Sequence, residues 1–191
     1  MDIRINLATI LISLFIFNRG DISRQDEYKP VISDDSDFKL IKNSDNYEYW
    51  ECIYNPGVFV STRSKQQTIA QIGNKKYSKY VKKIFSANGF FTACGPGFCS
   101  YYIVAVRRDK SIKVINTPND FRNFIGNIDN VEEAKLSARN GGYVLSVDPK
   151  YITMYQESTN GYTFKLYDFG FQFCIPLPES QPKSVTIKLT N

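Results

Sequence analysis

The residues of this chain best suited to chemistry are its four cysteines, Cys52, Cys94, Cys99 and Cys174. An even count in an oxidising compartment reads first as two disulfides. Cys94-Gly-Pro-Gly-Phe-Cys99 has the composition of a tight reversal, because its glycines supply unusual φ values and Pro96 presets a turn. Of the three connectivities open to four cysteines, the favoured one joins Cys94 to Cys99 and Cys52 to Cys174. Chain entropy assigns roughly 2 kcal/mol to the small loop and about 5 kcal/mol to the long one. Free buried thiols are the alternative. A redox pair calls for C-x-x-C at a helix start, and a four-cysteine zinc site calls for two close pairs. Here a strand follows the close pair, and Cys52 and Cys174 each stand alone.

The chain has no histidine. That removes Ser-His-Asp and Cys-His nucleophile activation and every His-ligated metal site. Carboxylate pairs and lysine chemistry stay open. Asp129 and Glu133 are the natural carboxylate pair, but a helix cap explains both, since acids are favoured at a helix N-terminus. Asp34-Asp35-Ser36-Asp37 lacks the glycine spacing and further oxygen ligands of a calcium loop and reads as a solvated linker. No catalytic, metal-ligating or cofactor-binding residue is assigned.

The cysteine reading depends on compartment, which the first 20 residues decide. Residues 7–17 form an apolar block of eleven residues behind Arg4. At about 1.5 Å per helical residue it spans roughly 16 Å, too short for a hydrocarbon core of about 30 Å. It fits the hydrophobic part of a signal peptide, with a membrane tether as the minor alternative. The expected organisation is a signal peptide over 1–20, a polar linker or flexible arm over 21–45, and one domain over 46–191.

Thirteen Tyr, 14 Phe and one Trp favour strands. The net charge of +5 is unevenly spread. Residues 21–51 carry nine acids and four bases, whereas residues 63–113 carry eleven bases and one acid, a stretch able to attract an anionic partner.

The elements follow from punctuation and period. Residues 47–60 read as two short strands about Asn55-Pro56-Gly57. Residues 74–85 read as an amphipathic helix capped by Asn74, with Tyr77, Tyr80, Val81 and Ile84 on one face. Lys75, Lys76, Lys79, Lys82 and Lys83 cover the rest and are the candidate anion contacts. The favoured reading is a packed helix with a lysine-covered outer face, because lysine stems also cover apolar surface. Residues 101–106 and 111–115 form a hairpin. Thr117-Pro118 opens one helix, which Gly126 stops; Asn130 with Glu133 opens a second, which Asn140-Gly141-Gly142 ends. Strand-like runs follow at 143–147, 151–156, 162–167, 171–175 and 185–189. The fold class is therefore α+β, mainly antiparallel sheet with two or three short helices, disulfide-stapled.

The stretch 94–143 resembles a pattern of small uncharacterised bacterial exported proteins. Its parts are the Cys/Pro turn, the hairpin, Phe121-x-x-Phe-Ile-Gly-x-Ile-Asp129-x-x-x-Glu133-Ala134, and a closing Gly142-Tyr143. The resemblance covers about 50 of 191 residues and implies export, with no activity to transfer.

The expected function is a non-enzymatic exported domain, periplasmic or extracellular, that interacts with an unidentified protein or component of the cell envelope. The runner-up binds an anionic membrane or polymer through the basic 63–113 region; nucleic acid is not expected. A hydrolase using two carboxylates about 5 to 9.5 Å apart is the third reading. Export makes the first test simple. N-terminal sequencing of envelope-recovered protein should begin near residue 21, and a retained Met1 on soluble cytoplasmic protein would refute the signal peptide.

Overall fold

The computed structural model describes residues 27–32, 34–42, 47–57, 65–91, 99–167 and 182–188. Their framework is two four-stranded antiparallel sheets with a few short helices, an α+β fold. The first sheet runs β3 (Gln67–Gly73), β2 (Tyr47–Asn55), β4 (Ser100–Arg107), β5 (Ile112–Ile115) in spatial order. The second runs β1 (Lys29–Pro30), β6 (Met154–Ser158), β7 (Gly161–Leu166), β8 (Lys183–Lys188).

Strand β4 is central and covered on both faces, so its sequence Tyr-Tyr-Ile-Val-Ala-Val is an unbroken apolar run rather than an alternating one. One face places Tyr101, Ile103 and Ala105 beside Trp50 and Cys52 of β2. That face is covered by α2 (Pro118–Ile125) through Phe121, Phe124 and Ile125, and by Leu136 of α3 (Val131–Asn140). The opposite face places Tyr102, Val104 and Val106 beside Tyr49 and Ile53. It is covered by Tyr77 and Val81, from a 3-10 turn over Lys75–Tyr77 and one helical turn, α1 (Ser78–Val81).

The caps form where the sequence places them. Thr117 accepts the Asp120 N–H and precedes Pro118 at the start of α2, and Gly126 ends it at φ 68°. Asn130 accepts the Glu133 N–H at 2.8 Å to open α3. The 101–115 hairpin forms as β4 and β5, with Ile103 opposite Ile115. Thr159-Asn160 closes the β6–β7 hairpin, with Ser158 opposite Gly161.

Several expectations give way. The amphipathic helix over 74–85 is only the 3-10 turn and single α-helical turn just described. Residues 143–147 form no strand. The half-exposed edge strand β3, with Gln67, Thr68 and Gln71 among its residues, shows no strand signal in sequence. Residues 58–60 and 171–175 lie outside the described residues, as does the apolar block 7–17. No described helix is long and apolar enough to cross a membrane.

The largest correction concerns the polar linker over 21–45, whose described residues, 27–32 and 34–42, are packed structure. Lys29 and Pro30 pair with Tyr155 and Met154, and the Val31 N–H donates to the Thr153 carbonyl at 2.8 Å. A 3-10 helix follows over Asp35–Leu40, capped by Asp34, which accepts the Ser36 N–H at 2.6 Å. Phe38 is fully buried among Phe90, Phe91, Tyr101 and Phe121, with ring centroids 5.4 to 6.3 Å away. Asp37 meets Lys135 of α3 at 2.6 Å, the two side chains being 5% and 8% exposed. The acidic run read as solvated thus holds one buried acid, because α3 supplies a buried base.

Burial raises the Asp37 carboxyl more than its Lys135 hydrogen bond lowers it. Desolvation therefore outweighs the attraction, and the pair orients the strap rather than adding much net stability. Breaking it is another matter, since that strands a buried charge. Lys135→Met should cost about 3–5 kcal/mol in urea denaturation, and Phe38→Ala about 3–5 kcal/mol. Two near-neutral results would restore the flexible-arm reading.

Candidate functional site

The lysine-covered segment is positioned by a sharp exit from β3. Gly73 has φ 98°, and a Cβ there would lie 2.2 Å from the Glu48 carbonyl oxygen, so the turn requires glycine. The Asn74 N–H donates to that carbonyl at 2.8 Å, and the Asn74 side chain accepts the Lys76 N–H at 3.1 Å. The chain is thus pinned against β2 before the first lysine. Tyr77 and Val81 then enter the core, while Tyr80 and Ile84 pack half-buried against it. These four residues pack against the sheet as expected, from two short turns rather than a helix over 74–85, and the aromatic face, Tyr77 and Tyr80, that a docking helix would expose is turned inward.

With the apolar side committed inward, Lys75, Lys76, Lys79, Lys82 and Lys83 are all exposed. None forms an ion pair with a described residue. Two are guided by the rings beneath: the Lys76 ammonium lies 4.9 Å from the Tyr77 ring centre and that of Lys79 5.3 Å from Tyr80. The acid at the root of the segment, Glu48, is taken by Arg108 at 2.9 Å. Arg108 carries no functional signal in sequence; its hydrogen bond to Glu48 is what raises its pKa. Phe85, 36% exposed, lies two residues beyond Lys83. The arrangement can bind negative charge.

The carboxylate pair is brought together but committed to structure. Glu133 is fully buried, and its two oxygens accept the Lys42 N–H at 2.6 Å and the Asp129 N–H at 3.1 Å. Burial pushes its carboxyl up. Burial also acts to raise Asp129, but its hydrogen bonds to Glu133 and Lys42 outweigh that and hold it down. Lys42 Nζ lies 3.1 Å from Asp129 Oδ2 on the surface. Two carboxylates with divergent proton affinities can mark an acid–base couple. Here the raised one has no exposed surface and both of its oxygens hold backbone amides, so it caps α3 and ties down the strap. Among the described residues, no cluster of three or more Cys, Asp or Glu is placed to hold a metal ion.

The cysteine framework needs correction. Cys52 is a free, fully buried thiol on β2, packed in the core with Ala70 and Ile103. The expected Cys52–Cys174 bridge is therefore not formed, and the two-disulfide framework falls with it. The cause is register: Cys52 pairs with Ala70 and Ile103 in the middle of a three-strand ladder, with its side chain directed under the helices. Burial pushes the thiol well above its usual range, so it is unreactive at neutral pH. Cys99 is also buried and is not among the free thiols. Cys94 and Cys174 lie outside the described residues, so the proposed Cys94–Cys99 turn does too.

Two buried polar groupings have no sequence signal. Beneath the lysine segment, Tyr102 Oη lies 2.5 Å from Gln66 Oε1, Asn116 donates to Ser86 Oγ at 3.0 Å, and Ser86 Oγ donates to the Asn88 carbonyl at 2.8 Å. Ser100 Oγ, close to Gly89, is buried without a hydrogen-bond partner. On the other face, Tyr101 donates to Asp35 at 3.0 Å, and the Arg139 guanidinium lies 4.6 Å from the Phe91 ring centre. Burial, then the Asp35 charge, raises the Tyr101 phenol.

No family model matches the chain, and no curated protein or solved structure is significantly similar to it.

A buried, high-pKa thiol should resist alkylation. Native protein treated with iodoacetamide at pH 7.5 should leave Cys52 unmodified, with labelling only after denaturation. Peptide mapping that finds Cys52 labelled in the native state, or disulfide-linked, would overturn its assignment as a free core thiol.

Proposed function

We propose that this chain is an exported, non-enzymatic interaction module of the cell envelope, and that its binding face is the lysine cover of residues 75–83. One observation carries the reading: five lysines stand exposed on a rigidly seated segment, with no acidic partner among the described residues. A solvated outer face normally mixes both signs. This one keeps a single sign, which favours a partner that brings the opposite charge. A single Cys94–Cys99 bridge belongs to the same proposal and suits an oxidising compartment. The α3 cap role of Asp129 and Glu133 removes that pair from the carboxylate-hydrolase reading.

Charge complementarity has a salt signature, since screening shortens to about 8 Å at physiological ionic strength. The protein should be retained on a soluble-polyanion matrix such as heparin–agarose at low salt and elute as salt rises. Changing Lys75, Lys79 and Lys83 together to Gln should lower the eluting salt concentration with the thermal midpoint unchanged. Retention equal to wild type would remove the lysine face as the binding surface.

A further inference from the structure

The structure points to an anionic lipid surface as the partner of the lysine face, with Phe85 as its apolar contact; we infer this from what the end of the segment exposes, and it rests on the basic-face reading above. The Ile84 N–H donates to the Val81 carbonyl at 2.9 Å, which closes the helical turn and fixes where the next residue emerges. Ile84 packs half-buried against Tyr102 and its neighbours. Phe85 therefore turns outward, 36% exposed, one residue beyond Ile84 and two beyond the exposed Lys83. The core gives this ring no complete cover, although Phe38, Phe90, Phe121 and Phe124 are all fully buried elsewhere.

A large ring beside lysines distinguishes between anionic partners. A soluble anionic sugar or phosphate chain satisfies the ammonium groups and offers no apolar phase for the ring. The headgroup region of an anionic bilayer offers both: negative charge at its surface and a boundary with acyl chains that accepts Phe. The seated geometry adds to this. Tyr77 and Val81 are buried in the sheet, so the segment docks as a rigid surface and keeps its own apolar face inward. Binding is then shallow, electrostatic first, with one ring as a wedge. Glu48, the acid at the segment's root, is already paired to Arg108 and does not oppose approach.

The test uses the full chain and its variants against vesicles of phosphatidylglycerol and phosphatidylcholine at equal parts, vesicles of phosphatidylcholine alone, and heparin. Residues 7–17 are common to every variant, so differences report on this face alone. Anionic vesicles should sediment more of the protein than neutral vesicles, whose retention sets the background contributed by residues 7–17. Phe85→Ser should weaken vesicle partitioning by about tenfold, with heparin retention unchanged. Changing the five lysines to Gln should weaken vesicle binding by at least about 100-fold. Phe85→Trp should bind anionic vesicles as well as wild type and shift its emission to the blue, against the buried Trp50 as a constant background. Vesicle binding indifferent to Phe85→Ser, with no shift from Phe85→Trp, overturns the lipid inference. If heparin retention still depends on the lysines in that case, the basic-face reading survives it. Lysine changes without effect on vesicles and heparin alike overturn both.

Discussion

The docking of the N-terminal strap onto α3 is the constraint on which the rest of the described structure depends. Residues 29–31 extend the second sheet, while Phe38 and Ile41 belong to the core of the first. Helix α3 sits between the same two regions, giving Ala134 to one cluster and Leu136 to the other. Polar contacts hold strap and helix together: Lys135 with Asp37 and the Ile32 carbonyl, Glu133 with the Lys42 amide, and the cap Asn130 with the Leu40 carbonyl. Lys135, Asp37 and Glu133 would each be costly to bury alone. The contacts therefore select one register of strap on helix, and the aromatic packing around Phe38 supplies the larger favourable term.

That arrangement explains why the acidic residues most suggestive of chemistry are structural. Glu133 is raised by burial yet keeps two backbone amides, so a neutral partner in its place would leave donors unmatched at the start of α3. Asp37 balances a base that would otherwise be an isolated buried charge. The lysine face has the opposite economy. Its ammonium groups stay in water, and the tyrosines below are held by the sheet whether or not a ligand is present. Structure and recognition are thus separated on that segment: Tyr77 and Val81 carry the first, the lysines and Phe85 the second.

The cysteine chemistry illustrates how much depends on neighbours distant in sequence. A lone Cys in an aromatic strand has the same local appearance whether it is bridged or free. Its state is decided by the strands beside it, and β2 places Cys52 between Ala70 and Ile103. Likewise, the neutral cluster around Tyr102 draws Gln66 from 36 residues away. Nothing in the spacing of these residues foretells it.

The sequence by itself determined the features whose partners lie within a few residues. The Thr117 and Asn130 caps, the stop at Gly126, the 101–115 hairpin and the inward set Tyr77 and Val81 all follow from short-range geometry and period. Only the tertiary structure decided that the acidic early segment is docked, that Cys52 is free, that Glu133 is sealed, and that Phe85 faces outward. Asp37 and Lys135 stand 98 residues apart, and Lys42 and Glu133 stand 91 apart. A polar residue reads as solvent-facing until a complementary group is brought to it, and that pairing is a property of the packed chain.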